Sequence, residues 1–286
     1  PRQLARALGR WALLAAFVAL LAGTCGVTWT TRQPSQSIPM FIFAGQSNMI
    51  VLKTNTADLP PEQRLSQSQV LFYRPTDSGG TWAPLQPPTT TGGGFGPEIS
   101  AGARLTDLDQ FPGVAIVKLA ASGSNLYNEW NPEHDNSYYE LLLNRVMQAK
   151  QSLEAQYPGD AVYFAGFFWM QGESDADNSL YAAAYQARLD HFIDRVRADY
   201  GEPDLPFVIG RVRPGPFTYA AQVRTAQANI AATKPGVALV NTDFLPQNGD
   251  HVHFSSAGTY QLGVLFADAW VTLSLLPTAH LPLVNR

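Results

Sequence analysis

A serine stands directly after a short apolar run, in Gly45-Gln46-Ser47-Asn48-Met49. A serine at a strand-to-loop turn, preceded by glycine, exposes its hydroxyl and its own backbone N–H together. A nucleophile with a built-in oxyanion donor requires that arrangement. The same Gly-x-Ser-Asn string is also an ordinary turn. Far downstream the chain reads Asp250-His251-Val252-His253. An Asp three residues before a His in a turn accepts from Nδ1–H and leaves Nε2 free to take a proton from serine. That spacing selects His253 as the base, while His251, adjacent to Asp250, tends to point elsewhere. A His-x-His pair with a nearby Asp also suits zinc. No third histidine lies close by and there is no HExxH string, so no metal is expected.

Two further strings follow apolar runs. In Ala121-Ser122-Gly123-Ser124-Asn125 the glycine lets the backbone approach a ligand closely, or simply makes a tight turn. In Trp169-Met170-Gln171-Gly172-Glu173-Ser174-Asp175, Gln171 offers two N–H donors at the end of a very apolar segment. Glu173 and Asp175 are expected to cap the next helix instead. Trp82, Tyr127 and Trp130 are candidates for stacking on a sugar ring, with ordinary packing as the alternative.

The elements that must hold these residues alternate. Five apolar runs read as buried parallel strands: Met40–Ala44, Val114–Leu119, Val162–Met170, Phe207–Gly210 and Val237–Val240. Between them Tyr138–Gln156 places Leu142, Val146, Ala149 and Leu153 on one helical face. Ala182–Tyr200 does the same with Tyr185, Leu189, Phe192 and Val196. Further helices are expected at Ile99–Leu108, Thr218–Lys234 and Ser256–Trp270, the last with Ser255 as N-cap. The alternation predicts an α/β fold, a three-layer α/β/α sandwich on a parallel five-stranded sheet. Sites in such sheets form beyond the carboxyl ends of the strands, which is where Ser47, Gly123, Gln171 and His253 fall. Residues 51–96, rich in Pro, Gly and Thr, break the rhythm and read as a surface insertion.

The 286 residues, 45% of them apolar, suffice for a sheet-centred core. A formal net charge of −4 argues against nucleic-acid binding, which needs basic surface. The one cysteine, Cys25, lies in the N-terminal apolar stretch, so the remainder has neither a disulfide nor a thiolate nucleophile. Arg2, Arg6 and Arg10 precede an uncharged run from Trp11 to Thr31. That order predicts a signal peptide or membrane anchor over residues 1–31. The domain is then exported: periplasmic, extracellular or anchored to the outer face of the cytoplasmic membrane. Ala22-Gly23-Thr24-Cys25 resembles a bacterial lipobox, so cleavage, lipidation and retention all stay open. Residues 32–38 read as a linker, 39–272 as the domain and 273–286 as an extended tail.

Taken together, FIFAGQSNM, GFGPE, ASGSN, WMQGESD and DHVHFSSAG resemble the sialate O-acetylesterase-like domain, which includes the family-six carbohydrate esterases. The resemblance runs from about Pro39 to Trp270. It implies an SGNH hydrolase with a flavodoxin-like sheet that removes acetyl esters from a carbohydrate without a cofactor. It implies Ser47 as nucleophile, His253 as base and Asp250 as the acid that orients it. The oxyanion hole it implies is the Ser47 N–H, the Gly123 N–H and the Gln171 side-chain amide. Its partner is an acetylated carbohydrate substrate, and no protein partner is expected. Two alternatives remain: a non-catalytic carbohydrate-binding module of the same fold, and an esterase or lipase acting on apolar esters.

Overall fold

The computed structural model describes residues 37–275, apart from 52, 77, 78, 91 and 108–112. The expected leader over 1–31 and the tail beyond Leu275 lie outside the described residues. Among the described residues no helix is long and apolar enough to cross a membrane.

All five expected strands form. They are β1 (Ser37–Gly45), β4 (Val114–Ala120), β5 (Ala161–Met170), β6 (Phe207–Gly210) and β7 (Val237–Val240). Ser37 and Ile38, expected in the linker, already belong to β1. The sheet is wider than expected. Residues 51–96 contribute an antiparallel hairpin, β2 (Gln67–Thr76) and β3 (Gly79–Leu85), giving seven strands in the order β3-β2-β4-β1-β5-β6-β7. Only the β2–β3 pair is antiparallel. Part of the supposed insertion is therefore sheet.

Period-two alternation in β1 explains the layers. Met40, Ile42 and Ala44 enter one core, while Phe41 and Phe43 enter the other. A strand apolar on both faces must be covered on both. The first core is covered by α3 (Tyr138–Gln156), α4 (Ser179–Asp199) and α5 (Ala220–Thr233). The second is covered by α2 (Glu98–Asp107) and α6 (Ser256–Leu275). The faces expected of α3 and α4 are the buried ones. Ser137 caps α3 by accepting from the Glu140 N–H, and Ser255 Oγ accepts from the Gly258 N–H at the start of α6. Helix α6 runs five residues past Trp270 and takes in the start of the expected tail.

Strand β1 lies between β4 and β5, with β2 and β4 on one side and β5, β6 and β7 on the other. The strand order reverses there, so the carboxyl ends of β1, β4 and β5 flank a crevice.

Candidate active site

Strand β1 ends at Gly45, whose φ of 147° favours glycine. A Cβ at this position would lie 2.0 Å from the Met170 carbonyl oxygen, so only glycine lets β1 and β5 close at this end. The chain then makes a single helical turn, α1 (Ser47–Ile50). The three residues that open the turn divide the work. Gln46 Oε1 accepts from Gln171 Nε2 at 3.2 Å, Gly172 N–H at 3.3 Å and Ser174 N–H at 3.4 Å, tying the turn to the end of β5. Asn48 ties it to the histidine loop. Its Nδ2 donates to the Val252 carbonyl at 3.1 Å, and its Oδ1 accepts from the Phe254 N–H at 3.0 Å. Ser47, held between them, faces the histidine.

The distance from His253 Nε2 to Ser47 Oγ is 3.0 Å, and from His253 Nδ1 to Asp250 Oδ2 also 3.0 Å. The local geometry foreseen from Asp-x-x-His is present in full. Asp250 Oδ1 also accepts the backbone N–H groups of Val252 and His253 at 3.0 and 2.9 Å. His251, at φ 57°, lets the turn fold back on itself while its own side chain stays exposed. The His253 N–H, and then the Lys53 ammonium 2.7 Å from Oδ2, hold the Asp250 carboxyl far below the usual range. An ionised carboxylate only accepts. The proton of a neutral His253 therefore sits on Nδ1, and Nε2 presents its lone pair to the serine hydroxyl.

The oxyanion candidates divide into two kinds. No acceptor among the described residues takes the N–H of Ser47 or of Gly123. Gly123 sits at φ 71° in an exposed turn after β4, and Ala121 N–H anchors that turn to the Gly45 carbonyl at 3.0 Å. Gln171 is different. It is fully buried, and its two amide hydrogens face three protein acceptors: Gln46 Oε1, the Ser124 carbonyl at 3.0 Å and Asp175 Oδ2 at 2.6 Å. Tyr185 O–H donates to both its carbonyl oxygens and fixes the amide's orientation. In this structure Gln171 is the hub joining β1, the Gly123 turn and β5.

Glu173 and Asp175 do not cap α4, which is capped by Asn178. Asp175 instead accepts from the backbone N–H groups of Leu126 and Tyr127 as well as from Gln171. Burial pushes its carboxyl up to about 6 in spite of these donors. Glu173 accepts from Asn48 Nδ2 at 2.7 Å, and burial raises its pKa too. Both carboxylates brace loops of the site. The aromatic candidates are likewise committed to packing. Trp130 is completely buried, with Nε1 donating to Ser124 Oγ at 2.7 Å and its ring edge-on to Trp169. Trp82 donates to the Ala149 carbonyl and Ser152 Oγ on α3. Tyr127 stacks on Tyr181, and Arg188 lies 5.0 Å from its ring centre.

Sequence reasoning missed Lys53, Asn48 and the bracing role of Gln46. Their partners lie 125 to 206 residues away in the chain, so no local spacing announces them. Among the described residues no group of three or more His, Cys, Asp or Glu is arranged to hold a metal.

Residues 37–272 match the family model described as carbohydrate esterase, sialic acid-specific acetylesterase. A probable carbohydrate esterase of Arabidopsis thaliana is 27% identical over 255 residues, covering 84% of this chain and 93% of its own. An X-ray structure of an Arabidopsis thaliana protein superposes with a TM-score of 0.68 at 22% identity, over 84% of this chain and 99% of that one. NanS gives a TM-score of 0.61 at 18% identity, over 85% of this chain and 99% of its own. A carbohydrate acetylesterase from Xanthomonas citri gives 0.58 at 19% identity, over 81% of this chain and 55% of its own. These structural likenesses bear on the fold alone. With the family model spanning almost the whole described domain, the chain belongs to the carbohydrate esterase family of sialic acid-specific acetylesterases and is a carboxylic ester hydrolase.

Proposed function

We propose that this enzyme removes O-acetyl groups from a carbohydrate through an acyl-enzyme formed on Ser47. The observation that carries the reading is the unbroken chain from Ser47 Oγ through His253 to Asp250, with both links at 3.0 Å. His253 Nε2 takes the serine proton as Oγ attacks the acetyl carbonyl. The resulting imidazolium faces the Asp250 carboxylate, which stays ionised. The tetrahedral intermediate collapses as His253 returns the proton to the departing sugar oxygen, leaving acetyl on Ser47. Water then attacks the acyl-enzyme with His253 again as base, and acetate leaves.

The developing oxyanion is received by the N–H groups of Ser47 and Gly123, the two of the three candidates that have no acceptor among the described residues. Each such donor is worth about a hundred- to thousandfold in rate. We assign Gln171 to this hole through its hydrogen bond to the Ser124 carbonyl, which fixes the turn that presents Gly123. It reaches the oxyanion itself only by releasing one of its present acceptors.

The test is hydrolysis of p-nitrophenyl esters of increasing chain length, followed by acetate release from acetylated glycans. Acetyl esters should turn over far faster than butyryl ones, and Ser47→Ala should abolish both activities. Equal rates along the series would instead favour an esterase for apolar esters. A Ser47→Ala enzyme that kept its activity would remove the acyl-serine mechanism. We further propose that the domain works outside the cytoplasmic membrane, supported by the three arginines ahead of the apolar run Trp11–Thr31. Fractionation that leaves the full-length protein free in the cytosol would refute this.

A further inference from the structure

The string Gly94-Phe95-Gly96-Pro97-Glu98 lies against the nucleophile's turn without entering the proton transfer. Glu98 opens α2 with its side chain wholly buried. Lys118 on β4 reaches it, Nζ to Oε2 at 2.7 Å, with 8% of its own side chain exposed. Alternation along β4 puts the lysine there. Val117 and Leu119 face the first core, so Lys118 points with Ile116 toward the second. The other carboxyl oxygen, Oε1, accepts from Thr89 Oγ1 and from the Gly96 N–H at 3.3 Å. A Cβ on Gly96 would collide with Lys118 Nζ and Glu98 Oε2, and would lie 2.9 Å from the Met49 carbonyl oxygen. Met49 follows Ser47 by two residues in α1. One glycine therefore separates the ion pair from the catalytic turn.

The same string reaches the other half of the dyad. Thr54 Oγ1 accepts from the Phe95 N–H at 2.7 Å and donates to the Phe95 carbonyl at 2.8 Å, clamping the chain that leaves α1. Ser100 Oγ donates to the Tyr260 carbonyl on α6 at 2.7 Å. Helix α6 starts three residues after His253. Residues 94–100 thus stand between the segment that carries Ser47 and the helix that follows His253. A buried ion pair is a poor stabiliser, because both ions lose their hydration. Burial pushes the Lys118 ammonium down from its ordinary value, and Glu98 only partly restores it. An apolar pair of similar volume would fill the same space at no loss of stability. What an apolar pair cannot supply is the directional acceptor that fixes Gly96 and Thr89.

We propose that Glu98 and Lys118 are positioning residues: the pair locks Gly96 between the Ser47 turn and α6, and so sets the approach of Ser47 to His253. The inference rests on the acyl-serine reading and deepens it. Asn48 joins the two halves of the dyad at their tips, and this lock joins them at their base. Reacting groups must be held to within about half an ångström, and a misplacement of about 1 Å costs about a hundredfold in rate.

The test separates position from stability by replacing the pair in two ways. In Glu98→Leu with Lys118→Met both charges go, and the melting point should stay near that of the wild type. On p-nitrophenyl acetate kcat should nonetheless fall by about tenfold or more, with KM little changed. Glu98→Gln with Lys118→Met keeps an acceptor for Thr89 and Gly96, and should recover most of the lost kcat. A pair that serves stability alone predicts wild-type kcat in both double variants. That result would overturn the proposal, and so would equal losses in the two. Should both melt early, Thr89→Val decides, since it removes one donor to Glu98 from a half-buried loop. Its kcat should fall by about threefold or more at unchanged KM, and an unchanged kcat overturns the lock. A crystal structure of the apolar double variant needs no turnover. Ser47 Oγ should lie beyond hydrogen-bond reach of His253 Nε2 there, and a link kept at 3.0 Å would overturn the proposal. A Ser47→Ala enzyme that stayed active would remove the acyl-serine reading, while this distance would still decide the lock.

Discussion

Lys53 gives the most discriminating handle on the proposed catalytic dyad. Its ammonium lies 2.7 Å from Asp250 Oδ2, the same oxygen that sits 3.0 Å from His253 Nδ1. The two nitrogens are therefore held within about 6 Å of one another by a shared partner. When His253 is neutral this costs nothing, but when it is protonated the two cations repel. The Lys53 side chain is 59% exposed, so the dielectric between them is close to that of water. At about 6 Å the repulsion is about 0.7 kcal/mol. Lysine thus opposes the imidazolium that forms when His253 takes the serine proton, and its removal favours that step. Asp250 keeps the Val252 and His253 N–H groups as donors without Lys53. In Lys53→Met kcat should therefore rise by up to about threefold. Lys53→Arg should restore the wild-type rate, and 1 M salt should shrink the difference. The assay is p-nitrophenyl acetate hydrolysis at low and high salt on variants with matched melting points. A rate that is unchanged or lower at low salt would refute the assigned role of Lys53.

Three further outcomes follow from the site. Asp250→Asn should fold normally and lose up to about ten-thousandfold in kcat, because the wrong imidazole tautomer is favoured; an inactive Glu173→Gln beside a near-normal Asp250→Asn would reverse the assignment of the acid. Gln171→Ala should lower the melting point, by about 2–3 kcal/mol of stability, and lower kcat as the Gly123 turn loosens; a normal melting point with unchanged kcat would remove Gln171 from the site. The Asp175 carboxyl, raised to about 6, binds protons more readily folded than unfolded, so its contribution to stability falls as pH rises from the ordinary carboxylate range to about 6. Melting curves should show a steeper decline in the wild type than in Asp175→Asn, where Glu173 still contributes, and identical pH slopes would refute it.

The central strands were legible because a strand buried on both faces must be apolar throughout, as in Phe41–Ala44 and Phe167–Met170. The hairpin was not, because β2 is buried only at Val70, Phe72 and Tyr73, and Pro75, Gly79, Gly80 and Pro84 interrupt the pair. At the edge of a sheet those residues are tolerated, so composition suggested a loop. Within the site, Asp250 and His253 were readable because their geometry is local to one turn. Lys53 and Asn48 act on that turn from the opposite end of the chain. Of the two readings of Trp130, packing holds. It stands in an irregular stretch, yet the ring turns inward beneath Trp169 and Phe192.

The seam between the hairpin and the rest of the sheet is short. Strand β2 meets β4 only through Val70, Leu71 and Phe72, whereas β1 pairs with β4 from Met40 to Gly45 and with β5 from Ser37 onward. Amide exchange should therefore find the hairpin opening as a unit at lower free energy than the β1–β4–β5 centre. The hairpin carries none of Ser47, His253 and Asp250, so such an opening strips the outer neighbour from β4 while leaving the catalytic geometry assembled. Fraying of this edge is thereby separable from loss of the site, and a probe of hairpin exchange and a probe of turnover need not report the same transition.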